Sequence, residues 1–274
     1  MKNKELSIIV THHQTPPLLK LCLNSIQKNL DLLNYEIIVV DSQTDEETPE
    51  MMREFFPEID FLTWKQNVGF SKIVNAGLKK AKGRFILIIN ADIIIPDNSL
   101  KLMLKYLKKH QKVGLLGPKL LNINNKLQPS CFRFYSPLTI LYRRTFLGRL
   151  PRGQKHLQKF TLKEIVNKNN KPFTVDWLMG SALLTKKEAV KKVGFFDENF
   201  FMYFEDVDWS RRFWQAGYQV VYFPQTIFYH FHGRKSKKYN ALLDILLNPF
   251  TRTHLKSAFK YFKKYGFKTI HYGQ

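Results

Sequence analysis

The chain has 274 residues, 44% of them hydrophobic, with 23 Phe, 12 Tyr and 4 Trp, enough to bury a large core as one domain. Lys and Arg outnumber Asp and Glu by 44 to 22, and a net charge of +22 calls for a polyanionic partner such as nucleic acid, an anionic membrane face or phosphate-bearing substrates. The 2 cysteines, Cys22 and Cys131, lie far apart, which excludes a disulfide framework and a thiolate metal cluster and fits a reducing compartment. Residues 1–9 lack the apolar stretch of a signal peptide, and no apolar run is long enough to span a bilayer. A cytoplasmic protein is expected.

The run Leu6-Ser7-Ile8-Ile9-Val10 reads as a buried strand, followed by a loop and a helix over 18–30. A second strand over 36–40 ends at Asp41, a loop fills 42–49, and helical spacing covers 51–56. A third strand is expected over 60–64, a turn at Asn67-Val68-Gly69-Phe70, a helix over 71–81, and a fourth strand over 84–89 leading to Asn90-Ala91-Asp92. Strands alternating with helices imply βαβ units and a mostly parallel sheet, and ligands bind such sheets beyond the carboxyl ends of the strands. Thr11, Asp41 and Asp92 fall at that edge. The glycine signatures of dinucleotide-binding and P-loop proteins are missing.

A basic helix follows Asn98 as far as His110. The region 122–171 is polar, basic and poorly periodic, and reads as a long excursion near the site. Order returns at 174–184, with a helix over 186–192, an aromatic and acidic segment over 194–217, a strand over 219–223 and extended chain over 227–230.

Motifs in order along the chain carry a resemblance. They are Ser7-Ile8-Ile9-Val10-Thr11, Val39-Val40-Asp41-Ser42, Asn67-Val68-Gly69-Phe70 and Leu87-Ile88-Ile89-Asn90-Ala91-Asp92, then Val175-Asp176-Trp177-Leu178-Met179-Gly180-Ser181 and Gly194-Phe195-Phe196-Asp197-Glu198. Phe200-Phe201-Met202-Tyr203-Phe204-Glu205-Asp206-Val207-Asp208-Trp209 and His230-Phe231-His232-Gly233-Arg234 complete the series. Together they resemble the rhamnosyltransferase-like branch of glycosyltransferase family 2, which has the GT-A fold, from about Leu6 to Ser236. The resemblance implies a GT-A domain over 1–235, with a nucleotide-sugar half to about 120 and an acceptor half after it. Residues 236–274 form a basic tail.

What the resemblance implies for chemistry is inverting transfer of a sugar, rhamnose being favoured, from a dTDP- or UDP-sugar to a lipid-linked or cell-surface glycan. Asp92 matches the last acid of the family's Asp-x-Asp motif, with Asn90 in place of the first acid, and His230 matches a late histidine that can complete a metal site. A hard divalent cation, Mn²⁺ or Mg²⁺, neutralises a leaving diphosphate, and imidazole favours Mn²⁺. Asp92 as a mere turn cap before Pro96 is the alternative. Asp41 and Thr11 are expected on the nucleotide, with Asn67 and Gly69 allowing close backbone approach, Ala91 beside them, and Lys72 offsetting phosphate charge or simply solvated. His12 and His13 depart from the family's usual Tyr-Asn.

Of the acids Glu205, Asp206 and Asp208, the family's catalytic pair maps to Glu205 and Asp206, with Asp206 as general base, since burial and like charges raise a carboxylate's pKa. Glu205 and Asp208 share a helix face, and Asp208 is expected to pair with Arg211 or Arg212. Asp176, Trp177, Gly180 and Ser181 resemble the acceptor and donor-sugar wall, with Trp177 stacking on a sugar or buried as structure. In the tail, Leu255, Phe259 and Phe262 form a stripe beside Arg252, Lys256, Lys260, Lys263 and Lys264 that either lies on an anionic membrane or packs on the domain. Peripheral association with the inner membrane face is expected. A nucleic-acid partner is not, because no RNP, KH or zinc-finger pattern occurs and the acid cluster would repel phosphates.

Overall fold

The computed structural model describes residues 4–29, 34–231, 248–268 and 270–273. Strands β1 (Leu6–His12), β2 (Tyr35–Ser42), β3 (Asp60–Trp64) and β4 (Phe85–Asn90) are the apolar runs expected. They pair in parallel in the order β3-β2-β1-β4. Parallel neighbours need crossovers, and helices α1 (Pro16–Asn29), α2 (Glu47–Phe55) and α3 (Phe70–Lys80) supply them. Both sheet faces are covered, so side chains alternate between two apolar clusters. Leu6, Ile8 and Val10 enter one and Ile9 the other.

After β5 (Ile93–Ile94) and α4 (Ser99–Lys109) comes β6 (Val113–Leu121), which the sequence pattern does not reveal. Gly114, Gly117 and Pro118 interrupt its apolar run. At Gly114 a Cβ would lie 2.6 Å from Phe213 and Tyr218, so a side chain there is excluded by packing. Later in the chain come β7 (Leu127–Gln128), β8 (Cys131–Phe132), β9 (Phe173–Thr174), β10 (Trp177–Leu178), β11 (Ala182–Lys186) and β12 (Gln219–His230). β11 is antiparallel to β4 and β6, and β12 is parallel to β6. Consequently β4 and β12 end, and β11 begins, at the same edge. The strand at 219–223 and the extension at 227–230 are one strand, with a register shift between Phe223 and Ile227.

The 122–171 region is more ordered than its weak periodicity predicts. It folds into α5 (Pro137–Arg144), a short 3-10 turn (Phe146–Arg149), α6 (Pro151–Phe160) and α7 (Lys163–Lys168). Local chemistry starts these short helices. Ser136 and Thr139 form a reciprocal cap with Pro137 at the first turn, and Pro151 opens α6. A Cβ at Gly148 would lie 2.0 Å from the Tyr142 carbonyl and one at Gly153 2.2 Å from that of Leu147, so both glycines let the hairpin close tightly.

Helices α8 (Lys187–Val193) and α9 (Glu205–Gln215) precede β12, and a C-terminal helix (Pro249–Tyr265) is the last described helix. That helix packs on the domain, though of the expected stripe only Phe262 is buried. Its inward residues are Thr251, His254, Ser257, Ala258, Tyr261 and Phe262, whereas Phe259 is 71% exposed. An aromatic cluster containing Phe132, Tyr135, Trp177, Phe204 and Tyr261 draws this face inward. His232, Gly233, Arg234 and the tail up to 247 lie outside the described residues. Among the described residues no helix is long and apolar enough to cross a membrane.

Candidate active site

The parallel register brings the expected edge residues together. Thr11 is opposite Asn90 and His12 opposite Asp41. Thr11 Oγ1 donates to Asn90 Oδ1 at 2.9 Å, and Ala91 N–H donates to the Thr11 carbonyl at 2.8 Å. His12 Nε2 accepts from Thr15 N–H at 2.9 Å, so the ring proton sits on Nδ1, which donates to Asp41 Oδ1 at 2.8 Å. Asp41 is buried, and its second oxygen, Oδ2, has no hydrogen-bond partner among the described residues. A buried carboxylate oxygen left in this state is a ready acceptor for a ligand N–H. The histidine that departs from the family pattern is therefore the group that orients Asp41.

The turn after β3 is built by side chains. Asn67 Oδ1 accepts from Gly69 N–H at 3.0 Å and from Ser42 Oγ at 3.3 Å. Gly69 has φ of +87°, and a Cβ there would lie 2.5 Å from the Phe201 carbonyl. Its close approach is thus to the chain leading into α9, and Phe70 N–H donates to the same Phe201 carbonyl at 2.8 Å. Lys72 is exposed on α3.

At the far side of the edge, β5 pairs with β12 and aligns His230 beside Asp92. His230 Nε2 lies 3.2 Å from Asp92 Oδ1, while Nδ1 faces Gln128 Oε1 at 2.9 Å. A Gln oxygen accepts, so Nδ1 donates to it and Nε2 faces Asp92. An imidazole oriented by an outer partner beside a carboxylate is a donor pair suited to a divalent cation. Among the described residues no group of three or more His, Cys, Asp or Glu side chains gathers to hold a metal, so two protein ligands would leave the rest of the coordination to a bound diphosphate.

Asp206 opens α9 beside β11. Tyr203 and Phe204 reach it through φ values of +69° and +68°, strained for non-glycine residues and held by burial of Phe204 among aromatics. Gly180 N–H donates to Asp206 Oδ2 and Val207 N–H to Oδ1, both at 2.9 Å. These donors favour the charged form. Burial outweighs them and pushes the carboxyl up to about 6. Asp206 stays partly exposed, while Glu205 and Asp208 turn inward as their spacing predicts.

Glu205, expected to share the chemistry, is buried, and among the described residues its Oε2 has no hydrogen-bond partner. Burial and then the Asp206 charge raise its carboxyl well above the usual carboxylate range. Asp208 pairs with Arg212 at 2.8 Å as expected, and also with Lys264 and the Tyr265 hydroxyl, both at 2.7 Å.

Two residues of the expected sugar wall lie elsewhere. Asp176 is completely buried, and its oxygens accept from the N–H groups of Phe134, Tyr272 and Gly273 and meet His271 Nδ1 at 2.5 Å. It anchors the C-terminal segment and has no oxygen to offer a sugar. Trp177 stacks on Phe132 at 4.3 Å, bonds the Arg133 carbonyl through Nε1, and is buried, so the structural alternative holds. Gly180 and Ser181 lie at the edge: Ser181 accepts from Asn90 N–H at 3.1 Å, and its buried Oγ has no partner among the described residues.

Sequence reasoning missed Gln128, Tyr135 and Arg143. Arg143 donates to the Tyr135 hydroxyl, and its charge acts on Asp206. Only the basic character of 122–171 hinted at it.

A parallel α/β half with carboxylates at its strand ends, joined to a mixed half that carries a desolvated acid, defines the GT-A class of glycosyltransferase folds. The family model of Glycosyl transferase family 2 matches residues 7–212, and the chain belongs to that family. It is 27% identical over 208 residues to the N-acetylglucosaminyl-diphospho-decaprenol L-rhamnosyltransferase of Mycobacterium tuberculosis, covering 71% of this chain and 66% of that relative. The rhamnosyltransferase WbbL of Escherichia coli is 26% identical over 263 residues, 93% of this chain and 91% of its own length. Among solved structures, GalNAc-T7 with UDP, GalNAc and Mn²⁺ superposes with a TM-score of 0.64 at 15% identity, over 91% of this chain and 49% of that one.

Proposed function

We propose that the protein is an inverting transferase that moves a sugar, rhamnose by analogy with its relatives, from a nucleotide diphosphate to a lipid-linked or cell-surface glycan. The observation that carries this reading is the state of Asp206, a carboxylate raised to about 6 and placed two hydrogen bonds from the Asn90–Asp92 edge. A base of that strength is ionised at neutral pH and still accepts a proton readily.

In the reaction the acceptor hydroxyl loses its proton to an Asp206 oxygen while the hydroxyl oxygen bonds to the anomeric carbon. The carbon–oxygen bond to the diphosphate breaks on the opposite face, and its electron pair leaves with the diphosphate. Asp92 and His230 would hold a divalent cation, Mn²⁺ or Mg²⁺, which supplies charge neutralisation to the leaving group. Asp41 would accept an N–H of the uracil or thymine base, with Thr11, Ser42 and Asn67 shaping that end. Gly180 and Ser181 would border the transferred sugar.

Thermal-shift measurements with dTDP and UDP, with and without Mn²⁺, test this. A ligand at 100 times its dissociation constant stabilises the folded state by about 2.7 kcal/mol. Metal-dependent stabilisation by either nucleotide is expected. Silence toward every nucleotide diphosphate would sink the reading and favour an inactive transferase-like scaffold.

A further inference from the structure

The hairpin of α5 and α6 borders the site at one end and has an unusual surface at the other. From Asn98 to Lys163 the sequence contains neither Asp nor Glu, and the hairpin itself carries Arg143, Arg144, Arg149, Arg152, Lys155 and Lys159. Its inward side is committed to the protein: Thr139, Gly153 and Phe160 are buried, and Thr139 Oγ1 bonds His156 Nε2 at 2.8 Å. Its outward side leaves Leu138, Leu141, Phe146 and Leu150 exposed, Phe146 by 71% and Leu150 by 49%. The tight packing at Gly148 and Gly153 fixes this arrangement before any partner arrives.

Apolar side chains on a rigid turn, in a stretch of sequence that carries cations and no acid, match the interfacial layer of an anionic bilayer. The apolar groups enter the acyl boundary while guanidinium and ammonium groups remain with the phosphates. The C-terminal helix is the rival surface. Part of its charge is already committed, since Lys264 pairs with Asp197 and Asp208 and Lys260 bonds the Asn199 carbonyl. It exposes one large apolar residue, Phe259, against four on the hairpin.

We propose that the 137–160 hairpin is the surface by which the protein docks on an anionic lipid bilayer. Through Arg143, whose charge reaches Asp206, docking would hold the base next to the membrane. The inference rests on the reading above for its purpose, a lipid-borne acceptor, but the experiment separates the two.

Co-sedimentation of the full chain with phosphatidylglycerol–phosphatidylethanolamine vesicles, and with phosphatidylcholine vesicles as the neutral control, provides the test. Phe146→Ser combined with Leu150→Ser, and separately Arg149→Glu combined with Arg152→Glu, should each weaken binding to anionic vesicles by about tenfold or more. Phe259→Ser with Lys256→Glu in the C-terminal helix should bind close to wild type. Loss of binding in the helix variant alone, or failure of the wild type to bind anionic vesicles, overturns the proposal. Unchanged binding of the serine pair overturns it too, because attraction would then be purely electrostatic. Nucleotide thermal shifts on the same preparations should match wild type. A protein that docks through the hairpin yet answers to no nucleotide would refute the transferase reading and leave the docking surface standing.

Discussion

The backbone N–H of Gly180 donates to Asp206 Oδ2 at 2.9 Å, and the next residue, Ser181, accepts from Asn90 N–H at 3.1 Å. These two bonds join the start of α9 to the end of β4. A carboxylate from the second half of the chain is thereby set against the edge built by the first.

Replacing Asp206, the base proposed above, with Asn removes the carboxylate and keeps the shape. Turnover should fall by about 10²- to 10⁴-fold, with the nucleotide thermal shift retained. Wild-type turnover should rise with pH through an acid limb near 6. Loss of nucleotide binding in the variant would move Asp206 to the donor side.

The same group links stability to pH. Its carboxyl is held at about 6 in the folded protein, above the roughly 3.9 of an unfolded chain, so the native state keeps the proton longer. Its contribution to stability is complete below the unfolded value and is lost as pH rises through the folded one. Between pH 4 and 7 the stability of Asp206→Asn relative to wild type should therefore rise, by at most about 2 kcal/mol given partial solvent access. Denaturant titrations at several pH values would read this, and a flat difference would refute the desolvation of Asp206.

At the proposed metal edge, Asp92→Asn should abolish the Mn²⁺-dependent part of nucleotide stabilisation. Gln128→Ala should weaken the metal response about 10- to 100-fold by releasing the His230 ring, with the metal-free protein unchanged. Equal metal responses in wild type and the Asp92 variant would assign Asp92 to the turn alone.

Asp176→Ala should behave as a folding variant. It strips the acceptor from three backbone N–H groups and should cost about 3 kcal/mol or more. Limited proteolysis should find the C-terminal segment released, while donor affinity of the folded fraction stays the same. A selective rise in the acceptor's Michaelis constant without destabilisation would restore Asp176 to the sugar wall.

Gly69→Ala should destabilise by about 1–3 kcal/mol, since both the positive φ and the Phe201 carbonyl oppose a side chain. Turnover should drop along with stability, because this contact ties the turn after β3 to the chain that carries Asp206.

The strand ends were the most legible feature. Short β-branched runs ending in Asp41 and Asn90-Ala91-Asp92 announce buried parallel strands, and a polar group at such an end has only the sheet edge to occupy. The acid spacing in α9 was equally readable, because helical geometry alone turns Glu205 and Asp208 inward and Asp206 away. Less was legible where packing overrides local pattern. β6 hides behind glycines that make room for Phe213, Tyr218 and Leu178, and α5 and α6 are too short for periodicity to reveal.

By itself the sequence determined the order of the first four strands and their helices, the family, and the acids offered to the edge, because these depend on residue type and near-neighbour spacing. Only the tertiary structure decided how each acid is placed and what it bonds. Asp41 is aimed by His12 through strand register, 29 residues away in sequence, and Asp206 is raised by the burial that surrounds it. Asp176, equally prominent as a motif, is consumed by backbone N–H groups from residues 134, 272 and 273. Register and burial join residues far apart along the chain, and no local pattern records which partner a carboxylate will meet.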